Sequence, residues 1–284
     1  MATVRTNGVE TYYERRGEGP PVVFVHGAVV DHHQWEPQAE ALADEYTTYV
    51  YDVRGHGRTG GSDEDSYSID LFAADLDAFC TALDIERPVL CGTSMGGCIA
   101  QVYAARHPDR VAGLVLADTF TPTLHDWRER VMRSLALRAT VYPVRLLGYE
   151  RTERWMVRAY ERVSKGSSGD YEQVERIRER GPKMSTDEFA KVVRAVGRFH
   201  ETRLDLSAIS APTLVLYGEN EPGVARRHVR AFRAAIADVT VRVVPGGGHA
   251  SNMDAPEFVT RELRTFLDRV VAGDAVDAAG SGST

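Results

Sequence analysis

In the first half of the chain, short apolar runs alternate with longer segments that carry apolar residues at helical spacing. The apolar runs are predicted strands, and they occupy residues 22–25, 47–51, 89–91 and 111–117. The segments with helical spacing are predicted helices, and they occupy residues 35–43, 69–83 and 95–107. Strands that alternate with helices in this way predict βαβ units and a largely parallel sheet.

The pattern changes between residues 121 and 206. This segment has no strand-like run, is rich in Arg and Glu, and is divided into helices by breakers such as Pro143, Gly148 and Gly181-Pro182. Alternation resumes after Pro212, with predicted strands at 213–217 and 239–244 and predicted helices near 225–237 and 256–271. The small, polar residues of 272–284 predict a disordered tail.

These patterns together predict an α/β protein whose mostly parallel central sheet is flanked by helices. Residues 1–120 and 207–271 form the predicted core, and residues 121–206 form a helical lid inserted between its two parts. An insertion that follows one strand and precedes the next is expected to lie over the sheet rather than to form an independent domain.

Composition and charge narrow the possible partners. The net charge of −7 disfavours nucleic acid, which requires a basic face. The first residues lack a basic start followed by an apolar run, and no window approaches 18 uninterrupted apolar residues. We therefore expect a cytoplasmic protein with no membrane partner.

The segment Gly92-Thr93-Ser94-Met95-Gly96 matches the pattern Gly-x-Ser-x-Gly between a predicted strand and a predicted helix. A serine on such a sharp turn exposes its hydroxyl in a strained backbone conformation, and glycines on either side avoid collisions with neighbouring backbone. The helix N-terminus favours negative charge that develops nearby. We therefore predict that Ser94 is a nucleophile.

A serine hydroxyl becomes an effective nucleophile when a base takes its proton. In this architecture the base is expected late in the chain, after the last strand. His249 follows the run 239–244 and the flexible Pro245-Gly246-Gly247-Gly248. It is the predicted general base.

A carboxylate must hold the imidazole in the correct tautomer and stabilise the imidazolium. Glu221 follows the run 213–217, and Asp118 ends the run 111–117. We favour Glu221, with Asp118 as the alternative and Glu219 as a third candidate. Asp118 could instead brace the end of its strand, so the choice stays open at this point.

Through four motifs the chain resembles the α/β-hydrolase superfamily, and in particular its esterase, lactone hydrolase and cofactor-free haloperoxidase-like branch. The motifs are His26-Gly27-Ala28, the segment from Asp52 to Gly57, the pattern around Ser94, and Gly247-Gly248-His249. The resemblance covers residues 6–271 and implies the α/β-hydrolase fold with an inserted lid. It implies structural roles for His26 and for the segment from Asp52 to Gly57.

The resemblance also implies an oxyanion hole made of the backbone N–H groups of Ala28 and Met95. It implies no metal and no organic cofactor. One departure concerns the acid: the family usually has Gly-Glu-x-Asp after the later strand, whereas this chain has Gly218-Glu219-Asn220-Glu221. Glu serves in some members, and others place the acid after the earlier strand.

The predicted function is hydrolysis of a small carboxylic ester or lactone through an acyl-enzyme. Two alternatives remain. A cofactor-free haloperoxidase or perhydrolase would use the same three side chains, with peroxide intercepting the acyl-enzyme. A ligand-sensing binding protein would keep the fold with slow or no turnover.

Overall fold

The computed structural model describes residues 2–124, 127–131, 144, 146, 148, 151–152 and 171–281. Eight strands of this part of the chain form one sheet. They are β1 (Ala2–Thr6), β2 (Val9–Arg16), β3 (Pro21–Val25), β4 (Thr47–Tyr51), β5 (Val89–Thr93), β6 (Gly113–Ala117), β7 (Thr213–Gly218) and β8 (Val239–Val244).

The sheet has the order β1-β2-β4-β3-β5-β6-β7-β8. From β4 to β8 in this order, each pair of neighbouring strands is parallel, as predicted. The pairs β1–β2 and β2–β4 are antiparallel. The β1–β2 hairpin was missed by the sequence analysis. Its signal was Asn7-Gly8, which turns the chain with φ values of 39° and 87°, because such a pair fits the tightest hairpin loops.

The described α-helices are α1 (Glu36–Leu42), α2 (Ile69–Ala82), α3 (Met95–Arg106), α4 (Trp127–Val131), α5 (Tyr171–Arg180), α6 (Thr186–Gly197), α7 (Gly223–Ala235), α8 (Ser251–Asp254) and α9 (Pro256–Ser281). Helices α1, α2, α3 and α7 begin and end within about two residues of their predicted bounds. The start of α2 is set by Ser68, whose hydroxyl accepts a hydrogen bond from the amide of Leu71.

Alternate residues of each central strand enter opposite cores, because side chains of a strand point to opposite faces of the sheet. Val23 and Val25 of β3 pack with residues of α2 and α3 in one core. Val22 and Phe24 pack with α1 and α9 in the other. Helices therefore cover both faces of a mostly parallel sheet, which confirms the predicted fold class.

Two predicted boundaries concern the lid and the tail. Helices α4, α5 and α6 lie within residues 121–206, and much of that segment lies outside the described residues. The assignment of a lid stays a prediction. Helix α9 continues to Ser281, beyond the end predicted near residue 271 and into the segment expected to be a disordered tail. The alanines of this extension have high helix propensity.

Within the described part of the chain, no helix combines the length and the apolar character needed to cross a bilayer.

Candidate active site

Ser94 lies on the sharp turn between β5 and α3. Its φ of 51° falls in the left-handed region, where a residue with a side chain is strained. The turn is tight enough that a Cβ on Gly96 would lie 2.1 Å from the carbonyl oxygen of Val25, and a Cβ on Gly92 would lie 2.4 Å from the backbone of Gly96. The glycines of the motif are therefore required by close backbone approach, as the sequence predicts.

Hydrogen bonds from the neighbouring strand hold this turn in place. The amide of Ser94 donates to the carbonyl of Ala117 at 2.9 Å. The hydroxyl of Thr119 donates to the carbonyl of Ser94 at 2.7 Å. Thr119 was missed by the sequence analysis, because its partner is far along the chain and no local pattern marks it.

The imidazole of His249 faces the hydroxyl of Ser94. The Nε2 atom of His249 lies 2.9 Å from Oγ of Ser94, which is hydrogen-bonding distance. His249 follows β8 after the three glycines 246–248, as predicted. Its side chain is 50% exposed, so a substrate can approach it.

The side chain of Glu221 holds the other edge of the imidazole. Its Oε1 accepts a hydrogen bond from Nδ1 of His249 at 2.6 Å. The Glu221 side chain is only 6% exposed, because it points inward from the loop after β7. The structure therefore brings Ser94, His249 and Glu221 into one hydrogen-bonded chain.

The other two candidate carboxylates have different partners. Asp118 is buried, and its two oxygens accept hydrogen bonds from the amides of Gly218 at 2.9 Å and Ser251 at 2.8 Å. It therefore braces the ends of β6 and β7 and the first turn of α8. The carboxylate of Glu219 accepts from the amide of Gly246 at 3.0 Å, which ties the loop after β7 to the loop before His249.

Asn220 strengthens the same connection between the two loops. Its backbone N–H donates to the carbonyl of Gly247 at 2.9 Å, and its side-chain Nδ2 donates to the carbonyl of Gly246 at 3.0 Å. The two neighbours that precede Glu221 thus hold the histidine loop, and this arrangement sets the contact between Glu221 and His249.

The carboxylates around His249 change its proton affinity. Desolvation of the imidazole acts to lower the pKa of His249. The hydrogen bond and charge of Glu221, together with the charges of Asp118 and Asp254, outweigh this effect and raise the pKa to about 9. Burial and the charge of Glu221 raise the pKa of Asp118 above its ordinary value. These carboxylates therefore favour the imidazolium form of His249.

The loop after β3 carries the predicted oxyanion donor Ala28. A Cβ on Gly27 would lie 3.6 Å from Cβ of Ser94, so this loop adjoins the nucleophile. The side-chain oxygen of Gln34 accepts a hydrogen bond from the amide of Gly27 at 2.7 Å. Among the described residues, neither the amide of Ala28 nor that of Met95 donates to a loop or turn carbonyl, and their role as oxyanion donors stays a prediction.

His26 and Asp52 connect the strands beneath this loop. Nδ1 of His26 bonds the carbonyl of Gly27 at 2.7 Å, while Nε2 accepts from the amide of Val53 at 3.0 Å. Burial lowers the pKa of His26, which favours the neutral imidazole. Asp52 accepts from the backbone and Nδ1 of His32 and from the amide of Arg58. Both residues therefore hold the backbone of this loop and of the segment after β4.

One cluster has the residue types of a metal site. In the described chain, donor atoms of Asp31, His32 and His33 lie within 4.8 Å of one another. Nδ1 of His32 bonds Asp52, and Nδ1 of His33 bonds Asp31, each at 2.7 Å. Asp31 also caps the short 3₁₀ helix His32–Trp35. These hydrogen bonds account for the cluster as part of the scaffold.

The chain is similar to known proteins in sequence and in fold. The sequence profile of a family described as the alpha/beta hydrolase fold matches residues 20–256. N-formylmaleamate deformylase from Pseudomonas putida is 28% identical over 275 residues, which cover 93% of this chain and 95% of that protein.

Two solved structures are also similar to the chain. A thermophilic esterase from Thermogutta terrifontis has a TM-score of 0.76 and 29% identity, covering 95% of this chain and 98% of the other. An enol-lactonase from Burkholderia xenovorans has a TM-score of 0.69 and 25% identity, covering 94% of this chain and 99% of the other.

Proposed function

The chain belongs to the α/β hydrolase fold family, and on this premise we propose that it is a serine hydrolase that cleaves a carboxylic ester or lactone through an acyl-enzyme. One observation carries the proposal, namely the hydrogen-bonded chain from Ser94 through His249 to Glu221. A hydroxyl, an imidazole and a carboxylate in this order form a nucleophile, its base and the group that orients the base. The esterase and lactonase among the similar structures support the substrate class.

Acylation begins with the neutral form of His249. Glu221 accepts from Nδ1, so the lone pair of the imidazole is on Nε2, where it faces the hydroxyl of Ser94. His249 takes the proton while Oγ of Ser94 attacks the substrate carbonyl. Glu221 stabilises the imidazolium that forms, because its charge lies beside the donated N–H.

The attack places negative charge on the former carbonyl oxygen. The amides of Ala28 and Met95 are proposed to donate to this oxyanion, and removal of one such donor commonly costs about 3 kcal/mol of transition-state stabilisation. His249 then protonates the leaving alkoxide, which departs from an ester or stays tethered in an opened lactone. Water attacks the acyl-enzyme with His249 again as base, and the carboxylic acid leaves.

The helical lid over residues 121–206 is proposed to shape the substrate pocket and to limit the access of water. A lid at the carboxyl edge of the sheet would cover the hydroxyl of Ser94. Such a cover lowers the local dielectric around the reacting groups.

A panel of p-nitrophenyl esters of increasing acyl length, together with several lactones, tests the proposal. We expect wild type to hydrolyse at least one of them and Ser94→Ala to lose turnover. Ser210→Ala, at an exposed serine that contacts the carbonyl of Pro108, is the matched control and should keep wild-type rates.

Four outcomes would contradict the proposal. Wild type could be inert toward the whole panel, or Ser94→Ala could retain turnover. Stoichiometric ligand binding that Ser94→Ala leaves unchanged, with no hydrolysis, would indicate a sensing protein. Halogenation with acetate and peroxide that exceeds ester hydrolysis would move the assignment to a perhydrolase on the same three side chains.

A further inference from the structure

Val29, directly after the proposed oxyanion donor Ala28, has an unusual backbone conformation. Its φ is 58°, in the left-handed region. A β-branched residue rarely adopts this conformation, because its Cβ crowds the backbone. Such a conformation persists only when surrounding contacts hold it.

A side chain of α5 holds the backbone at this position. Nε of Arg178 donates to the carbonyl of Val29 at 2.7 Å. A hydrogen bond from a guanidinium is stronger than one between neutral groups. This bond joins residues 149 positions apart in sequence, so it connects the predicted lid to the proposed oxyanion loop.

Apolar contacts fix the same loop from two sides. The side chain of Val30 packs with Ile177 of α5 and with Met253 of α8. The side chain of Val29 packs against a separate cluster of Val144 and residues of α6. The left-handed turn at Val29 allows consecutive side chains to enter these two clusters.

Helix α5 directs one face toward the loop. Val174 and Ile177 belong to the apolar cluster around Val30, and Arg178 is the next residue on that face, since positions i, i+3 and i+4 of a helix are adjacent. The cluster also includes Ala250 and Met253, which follow His249. The helix therefore packs against the loop of Ala28 and the segment of His249 at once.

The backbone around Ala28 is thus held at both of its neighbours. Gln34 accepts from the amide of Gly27, and Arg178 donates to the carbonyl of Val29. The amide of Ala28 lies between these two fixed points. We propose that Arg178 is a positioning residue that keeps the turn at Val29 and so aims the Ala28 N–H at the oxyanion. This role rests on the proposed function.

Steady-state kinetics with a p-nitrophenyl ester test the role. Arg178→Gln should lower kcat about 10-fold to 100-fold with little change in KM. A misaligned Ala28 N–H would weaken a hydrogen bond that forms mainly in the transition state. Arg178→Lys retains the charge and a donor and should recover part of kcat. Arg180→Gln, which removes an ion pair between α5 and Glu36, is the control for a loosened helix and should stay within about 2-fold of wild type.

A double-mutant cycle with Val29→Gly separates positioning from simple docking of the helix. Glycine adopts a positive φ without strain, so the turn then needs less support. We expect the loss caused by Arg178→Gln to be smaller in the Val29→Gly background than in wild type. Equal losses in the two backgrounds would contradict a role at the turn.

Hydrogen–deuterium exchange provides a readout that does not depend on activity. In Arg178→Gln, peptides covering residues 26–33 should exchange faster than in wild type and in Arg180→Gln, while peptides of β4 stay unchanged. Unchanged exchange at 26–33 overturns the inference, as does wild-type kcat in Arg178→Gln. If wild type hydrolyses no ester, the proposed function fails. The exchange result then still decides whether Arg178 holds the turn at Val29.

Discussion

Oε1 of Glu221 lies 2.6 Å from Nδ1 of His249. The two residues that precede Glu221, Glu219 and Asn220, form hydrogen bonds with the loop that carries His249. Asp118 interacts with the same imidazole only through its charge. Its oxygens are already bonded to two backbone amides. We therefore expect Glu221 to affect mainly catalysis and Asp118 to affect mainly stability.

Substitution of these two carboxylates should give different phenotypes. Glu221→Gln removes the acceptor for Nδ1–H and should lower kcat by about two to four orders of magnitude, because the imidazole loses its tautomer and its counter-charge. Asp118→Asn leaves one backbone amide without an acceptor and should lower the free energy of unfolding by about 1–3 kcal/mol, with a much smaller change in kcat. Steady-state kinetics and urea unfolding measure the two effects; the reverse order would assign the acid to Asp118.

The raised pKa of His249 predicts an alkaline rate profile. His249 must be neutral to act as base, so kcat/KM of wild type should rise with pH through an inflection near 9. Removal of the Glu221 charge in Glu221→Gln should move the inflection to lower pH, with a lower plateau. A wild-type inflection below pH 7 would contradict a raised pKa of His249.

The same shift has a consequence for stability with a defined sign. A histidine whose folded pKa is raised contributes stability that is fully present below its unfolded pKa of 6.5 and is lost as the pH rises through about 9. Thermal unfolding should therefore show wild type and Glu221→Gln converging as the pH passes 9. A difference in Tm that grows with pH would contradict this sign.

Gly96 should not tolerate even a methyl group. In Gly96→Ala the new Cβ would lie 2.1 Å from the carbonyl of Val25, at the centre of the fold. We expect insoluble protein or a loss of at least about 3 kcal/mol in the free energy of unfolding. The control is Gly223→Ala, where no atom lies within 4 Å and the change should be neutral or slightly stabilising. Equal stability of the two variants would refute the argument.

The segment after Asp52 should affect stability through a buried ion pair. The guanidinium of Arg54 forms two hydrogen bonds with Asp75, at 2.7 and 2.8 Å, and both side chains are buried. Arg54→Met leaves a buried carboxylate unpaired and should cost about 3–5 kcal/mol. Arg198→Met, which breaks an exposed pair with Glu201, should cost at most about 1 kcal/mol. Calorimetry of both variants checks the difference.

Much of the fold could be predicted from local patterns. The central strands follow from apolar runs, because they are buried on both faces. The flanking helices α1 and α2 follow from helical spacing, because each is buried along one face. The hairpin of β1 and β2 was missed, although Asn7-Gly8 indicates it. Helix α9 ends at Ser281 rather than near residue 271, because its alanines favour a helix; the assignment of 272–284 as a tail stays a prediction.

The site could be predicted where one short segment determines the geometry. Gly-x-Ser-x-Gly indicates a turn that exposes Ser94, and the glycines before His249 indicate a flexible approach; the structure brings these two side chains together, and their catalytic roles stay predictions. The supporting contacts of Gln34, Thr119 and Arg178 could not be found in the same way. Each depends on a partner that the folded chain alone brings near.

The sequence by itself determined the α/β architecture and the two side chains most suited to nucleophile and base, because hydrophobic periodicity and turn residues act over a few neighbouring positions. Only the tertiary structure decided which carboxylate contacts His249. Asp118, Glu219 and Glu221 all follow strands that end at the same edge of the sheet. The carboxylates of Asp118 and Glu219 accept from backbone amides, whereas that of Glu221 meets the imidazole of His249. That choice is a matter of distances across the fold, which spacing along the chain does not encode.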